Sequence, residues 1–176
     1  MEISYAEHLT TFDGLPTKKK LEILSIDRNL PKGLHSFINK MKQQYTMEIV
    51  YRACKPRFYH QYALSRLHKE GYKMAVCSNS IFNTIDVMMQ KAALSPYFEF
   101  YVSNEDVKHG KPDPEMYIKA ISKLDLNPRE CLIVEDNENG IKAAKASGAN
   151  VMMVKEVSDV NYENIKEHIA KFQKEN

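Results

Sequence analysis

Two adjacent acids, Glu135 and Asp136, close the apolar run Cys131-Leu132-Ile133-Val134, and a helical pattern follows from Ile141. A short apolar run leading into a helix reads as one βα unit of a sheet buried on both faces. In open parallel sheets, ligands bind just beyond the carboxyl ends of the strands. Glu135 and Asp136 therefore stand where a hard cation could be held or a proton moved. The competing reading is that they cap the next helix.

Two further segments have the same form. Tyr72-Lys73-Met74-Ala75-Val76-Cys77 ends in Ser78-Asn79-Ser80, with a helical pattern from Ile81. The Ser78 hydroxyl and the amides of Asn79 and Ser80, close to a helix N-terminus, could cradle a phosphate. As an ordinary strand-to-helix loop, the same residues would supply Asn79 or Ser80 as an N-cap. The third segment is His109-Gly110-Lys111-Pro112-Asp113-Pro114, ahead of a helix expected from Pro114. The prolines stiffen the backbone and restrict the direction of Lys111. Its ammonium is either a fixed charge for a phosphoryl group or carboxylate, or simply solvated.

Taken in order, Ser78-Asn79, Lys111-Pro112-Asp113-Pro114 and Glu135-Asp136 resemble the second, third and fourth motifs of the haloacid dehalogenase-like superfamily. The resemblance runs from the first residues to about Val154. It is nearest to the beta-phosphoglucomutase and phosphoglycolate phosphatase type with a small helical cap; the stretch His8 to Leu24, with Gly14-Leu15-Pro16-Thr17, is similar to their cap segment. The resemblance implies phosphoryl transfer through an aspartyl-phosphate on a small phosphorylated metabolite such as a sugar phosphate. It gives Ser78 and the Asn79 amide the phosphoryl oxygens and makes Lys111 the neutralising cation. Asp136 becomes a Mg2+ ligand, with Glu135 in its first or second coordination layer. Thr17 and Lys20, in the cap, are the residues that would meet substrate.

The nucleophile of that family has no counterpart. Its first motif, Asp-x-Asp-Gly-Thr or Asp-x-Asp-Gly-Val after an apolar strand, does not occur. The nearest string, Thr11-Phe12-Asp13-Gly14-Leu15, has threonine at the nucleophile position and no apolar strand ahead of it. Asp13-Gly14 reads instead as cap, with Thr17 a possible N-cap of the helix after Pro16. In the family's sheet, the first strand lies between those carrying the second and fourth motifs. Strands sit about 4.8 Å apart, so its loss leaves a gap of about 10 Å that backbone hydrogen bonds cannot span. The preferred expectation is an N-terminally truncated hydrolase, inactive alone; the others are a chain completed by a separate segment and a rearrangement of the remaining elements. The alternative is a non-catalytic phosphate-binding or protein-interaction module on the same scaffold.

Composition narrows the classes. The 176 residues are 43% hydrophobic and 27% charged, ordinary for a folded domain. A net charge of +2 without a basic, aromatic-interleaved stripe argues against nucleic acid, and Lys18-Lys19-Lys20 reads as a solvated helix face. No apolar stretch reaches the roughly 20 residues that span a bilayer, so no membrane partner is expected. Cys54, Cys77 and Cys131 lack metal-site spacing and fit buried thiols of a reducing, cytoplasmic compartment. His8, His35, His60, His68, His109 and His168 are scattered and read as solvated or packed, and surface roles are expected for Arg52 and Arg57. No Gly-x-Gly-x-x-Gly follows a strand, which speaks against a dinucleotide site.

The expected fold is α/β: a Rossmann-like parallel sheet with flanking helices, its first central strand missing, plus a small helical cap. Residues 1–54 are the cap and 55–176 the core, with a hinge at Cys54-Lys55-Pro56-Arg57. Within the cap, Leu34, Phe37, Ile38, Met41, Tyr45, Ile49 and Val50 recur at helical spacing and predict one buried stripe. The core is expected to carry strands at Lys73–Cys77, Phe98–Val102, Cys131–Val134 and Asn150–Val154. Helices are expected at Tyr59–Glu70, Ile81–Ala92, Pro114–Leu124 and Ile141–Ser147, and from Asn161 onward. Asn139-Gly140 is expected to let the backbone turn into its helix.

Overall fold

The computed structural model describes residues 3–4, 7, 11–12 and 14–175. Asp13 and His8 lie outside the described residues. Two helices lead, α1 (Thr17–Arg28) and α2 (His35–Ala53), joined through a single 3-10 turn at Lys32–Leu34. The Ser25 hydroxyl donates to the Leu30 carbonyl at 2.8 Å and lies 2.7 Å from the His35 ring, tying the two helices together at this turn. Thr17 is the first residue of α1 rather than its cap: Pro16 precedes it, with no side-chain cap.

Beyond Pro56, which cannot continue a helix, strands and helices alternate. They are α3 (Phe58–Lys69), β1 (Ala75–Cys77), α4 (Phe82–Lys91), β2 (Phe100–Val102), α5 (Glu115–Lys123), β3 (Leu132–Glu135), α6 (Glu138–Ala146), β4 (Asn150–Met153) and α7 (Tyr162–Glu175). Gly71, at φ +85°, provides the left-handed residue after α3. This is the expected α/β arrangement of parallel strands and flanking helices.

The strands form two parallel pairs. β1 pairs with β2 (Ala75 opposite Phe100, Cys77 opposite Val102), and β3 with β4 (Leu132 opposite Asn150, Glu135 opposite Met153). Among the described residues, no ladder joins β1 to β3. Helices hold the pairs together instead. On one side, Leu67 of α3 and Ile165 and Ile169 of α7 bury with Met152 and Val154, and Met74 beside β1 and Leu132 and Val134 of β3 pack against that cluster. On the other, Tyr117 of α5 and Ala143 and Ala144 of α6 bury with Ile133, and Cys77 packs against them. The inward side chains of α5, Met116, Tyr117, Ala120 and Ile121, recur at helical spacing, so a single helix covers both pairs.

The apolar stripe predicted for α2 is not buried. Phe37 is 61% exposed and Ile49 62%, and Leu34 and Tyr45 are also exposed; only Val50 of the predicted set is buried. The helix packs through a different row. Gln43 and Met47 meet the Thr84 hydroxyl of α4, and with Val50 they lie at i, i+4, i+7, rotated away from Phe37, Tyr45 and Ile49. Among the described residues, no helix is long and apolar enough to cross a membrane.

Candidate active site

Glu135 is the last residue of β3, one residue later than the sequence placed the strand end, so its side chain turns into the protein and is only 8% exposed. Oε1 accepts from the Lys111 ammonium and the Tyr117 hydroxyl. Oε2 accepts from the backbone N–H of Asp136 at 3.2 Å and of Asn137 at 3.4 Å. Burial alone would raise the pKa of this carboxyl; the neighbouring Lys111 charge and these hydrogen bonds outweigh it and hold the group below the usual carboxylate range. Tyr117 moves the other way, pushed up by burial and then by the adjoining Glu135 charge. Burial likewise pushes the Cys77 thiol up to about 12, so it stays protonated and inert as a nucleophile.

Glycine at position 140 makes this arrangement possible. Gly140 lies inside α6 with no left-handed backbone, and a Cβ built there would land on the Glu135 carboxyl group. The predicted turn-making role is therefore incorrect: the helix already starts at Glu138, and the missing side chain is the space Glu135 occupies.

Lys111 is fixed from both ends. Its N–H donates to Asn79 Oδ1 at 3.0 Å, and its carbonyl accepts from Asn79 Nδ2 at 3.1 Å. The ammonium donates to the Cys77 carbonyl at 3.1 Å as well as to Glu135, and lies 4.8 Å from the centre of the Tyr117 ring. The loop is further set by Glu115, which accepts from the N–H groups of Lys108 and His109, and by Asp113, which caps the Glu115 N–H. The Lys111–Pro112 peptide is cis.

Asn79 does more than the sequence indicated. Besides clamping Lys111, Nδ2 donates to the Gly14 carbonyl at 2.9 Å, and Gly14 itself packs so closely on the Asn137 side chain that a Cβ there would overlap it. Residue 14 thus sits over both the β1 and the β3 ends. Ser78 Oγ accepts from the Ser80 N–H at 3.2 Å, which leaves its hydroxyl proton to donate elsewhere. The N-cap of α4 is neither Asn79 nor Ser80 but Ile81, and the Phe82 N–H is taken by Glu105 at 2.7 Å.

Asp136 is exposed, and its carboxylate accepts no hydrogen bond from the described residues. The acids do not cap α6 either: Asn137 does, accepting from the Asn139 N–H at 2.9 Å. Magnesium takes oxygen ligands and keeps several waters. Glu135 does not fit as a ligand, since both of its oxygens are engaged. Asp136 fits, but it is one carboxylate, and no group of three or more His, Cys, Asp or Glu able to hold a metal occurs among the described residues. A complete magnesium site is therefore not built from these residues alone.

Ser78, Asn79, Lys111, Glu135 and Asp136 thus come together at the carboxyl ends of β1 and β3. Thr17 lies next door, in a cavity of about 310 Å³ bounded by α1, α2 and the loops after β1 and β2, with Lys18, Asn39, Lys42, Asn79 and Ser80 also on its walls. Lys20 is not on that lining; its neighbour Lys18 is. Sequence reasoning missed Tyr117 and the reason for Gly140. The signal for Tyr117 was its place three residues after Pro114, on the inward face of a helix that leads away from Lys111.

The chain resembles known proteins in sequence and in fold. The sequence profile described as haloacid dehalogenase-like hydrolase matches residues 2–154. A pyrophosphatase PpaX of Bacillus velezensis is 29% identical over 138 residues, 78% of this chain and 57% of its own length. A phosphorylated carbohydrates phosphatase of Thermotoga maritima is 25% identical over 135 residues, 77% of this chain and 62% of its own length. The chain thus spans about three fifths of these relatives. Among solved structures, a family IA, variant 3 hydrolase from Entamoeba histolytica superposes with a TM-score of 0.78 at 19% identity, covering 98% of this chain and 85% of that one. A beta-phosphoglucomutase from Clostridium difficile gives 0.75 at 19% identity, covering 91% and 79%. These two show likeness of fold.

Proposed function

The chain belongs to the haloacid dehalogenase-like hydrolases, and from that premise we propose that it carries the phosphate-gripping part of a phosphatase or phosphomutase site for a small phosphorylated metabolite, a sugar phosphate being the leading class. The observation that carries this reading is the convergence on Lys111: its ammonium reaches the ends of β1 (Cys77) and β3 (Glu135), while Asn79, in the loop after β1, holds its backbone. Cation, hydroxyl and backbone amides at the mouth of a parallel sheet suit an incoming phosphoryl group.

In this reading, the Ser78 hydroxyl and the Asn79 amide bind phosphoryl oxygens, and Lys111 neutralises the charge they share with the attacking group. Glu135 and Tyr117 hold that ammonium in place. Asp136 faces solvent as one ligand for Mg2+, which when bound would neutralise phosphoryl charge. Glu135 holds Lys111 from behind, and water, the substrate phosphate and further acids would supply the metal's remaining oxygens. Thr17 and Lys18 face the neighbouring cavity, where the non-reacting part of a substrate would lie. In this reading the group that attacks phosphorus is not one of the described residues, and phosphate release by the 176-residue chain alone is not expected. The self-paired Lys111 also supports a second reading, a non-catalytic phosphate-binding or protein-interaction module.

The test is to fuse an apolar strand ending in Asp-x-Asp-Gly ahead of the chain and to assay Mg2+-dependent phosphate release from p-nitrophenyl phosphate and sugar phosphates. Release by the fusion supports the hydrolase reading. A folded fusion without turnover defeats it, and phosphate binding by that fusion would select the second.

A further inference from the structure

We propose that the outer face of α3 is a self-association surface, on which a second copy of this chain packs its own α3 in antiparallel orientation about a two-fold axis.

One side of α3 turns inward: Ala63 is 1% exposed and Leu67 4%, and Leu67 sits in the cluster with Ile165 and Ile169 of α7. On the opposite side, Phe58, Tyr62, Ser65 and Lys69 follow at steps of four, three and four, the spacing of a seam between two packed helices. The seam begins with large apolar surface in water, since Phe58 is 80% exposed and Tyr62 39%. A solvated helix face is ordinarily polar, and aromatic residues on it mark an interaction surface. The rings are already ordered. Phe58 stacks on Tyr62 with centroids 6.0 Å apart, and Tyr62 meets the Tyr162 ring of α7 edge-on at 6.0 Å. The Arg66 guanidinium lies 5.8 Å from the centre of the Tyr62 ring and 4.8 Å from that of Tyr162. Rings held in this way lose little freedom when a partner arrives.

The seam supplies its own complement, and this identifies the occupant. Its first half is aromatic, Phe58 and Tyr62; its second half ends in the exposed cation Lys69. An antiparallel partner centred between Tyr62 and Ser65 sets Phe58 against Lys69 of the second copy and Tyr62 against its Ser65, and the two-fold repeats each contact. An ammonium over an aromatic face is attractive. At the ends, the same register sets Arg57 against Glu70 of the second copy, an opposite-charge match. Parallel pairing would set Arg57 and Lys69 each against its own copy, cation on cation, which charge complementarity rejects.

This inference does not rest on the phosphatase reading, because the seam residues are not among those gathered at Lys111. The test is sedimentation equilibrium of the 176-residue chain over about a hundredfold range of concentration, with a reversible monomer–dimer equilibrium expected. Phe58→Ser and Lys69→Ala, both at exposed positions and expected to leave the urea midpoint unchanged, should each weaken the dimer about tenfold, since each removes both cation–π contacts. An equimolar mixture of the two variants should associate about threefold more tightly than either alone, because the mixed dimer keeps one intact Phe58–Lys69 contact that neither variant dimer has. A chain that stays monomeric, a dimer indifferent to Phe58→Ser, or a mixture no tighter than its components would each overturn the proposal. So would a monomer whose Phe58 and Tyr62 resonances shift on titration with polyglutamate, which would assign this face to an acidic partner.

Discussion

Lys111 and Glu135 form a sheltered ion pair, 11% and 8% exposed, linking the loop before α5 to the end of β3. A pair this sheltered does little net work as an attraction, but it is costly to break from one side. Lys111→Met leaves the Glu135 carboxylate buried without its cation and is expected to cost about 3–5 kcal/mol in urea unfolding. The double variant Lys111→Met, Glu135→Gln should recover most of that loss. A single-variant cost within error of zero would show that the pair is not sheltered in solution.

The pH dependence has a definite sign. Glu135 is held below the ordinary carboxylate value, so its unfolded state binds the proton more tightly than the folded state. Its contribution is complete above the unfolded value, about 4.3, and is lost as pH falls through the lower folded value. Stability measured from pH 6 downward should fall more steeply in the parent chain than in Glu135→Gln. Parallel curves would contradict the assignment.

Gly140→Ala should run against the usual rule. Alanine inside a helix normally gains about 1 kcal/mol over glycine. Here the added methyl meets the Glu135 carboxyl, and overpacking of about 1–3 kcal/mol is expected instead. In a Glu135→Ala background, the same substitution should become neutral or stabilising, which calorimetric melting of the four chains would read as a double-mutant cycle.

Tyr117→Phe keeps the ring beside the Lys111 ammonium and removes the hydroxyl donated to Glu135. The expected loss is about 1–2 kcal/mol, with a rise in the Glu135 pKa visible by carboxyl NMR. An unchanged Glu135 titration would remove Tyr117 from the site.

Much of this was legible because βα units announce themselves locally. The runs ending at Cys77 and Glu135 gave strands and their loops, and each expected core helix and strand is present with ends shifted by a few residues. What was not legible depends on three-dimensional fit. Glu135 and Asp136 are sequence neighbours, yet one turns inward to Lys111 while the other faces water, because the strand runs one residue further than its apolar run. The face on which α2 packs could not be told from spacing, since Phe37, Tyr45 and Ile49 make as good a row as Gln43, Met47 and Val50. Gly140 looked like a turn residue because nothing in its neighbourhood reveals a carboxyl group folding back onto it.

The most direct measurement is Mg2+-dependent phosphate release by the chain with an apolar, aspartate-ended strand fused ahead of it, beside the same fusion carrying Lys111→Met or Asp136→Asn. The account predicts release by the fusion, loss of at least a hundredfold in each variant, consistent with removal of a group that stabilises transition-state charge, and none from the 176-residue chain alone. Undiminished release by the Lys111→Met fusion, or robust release by the unfused chain, would contradict it.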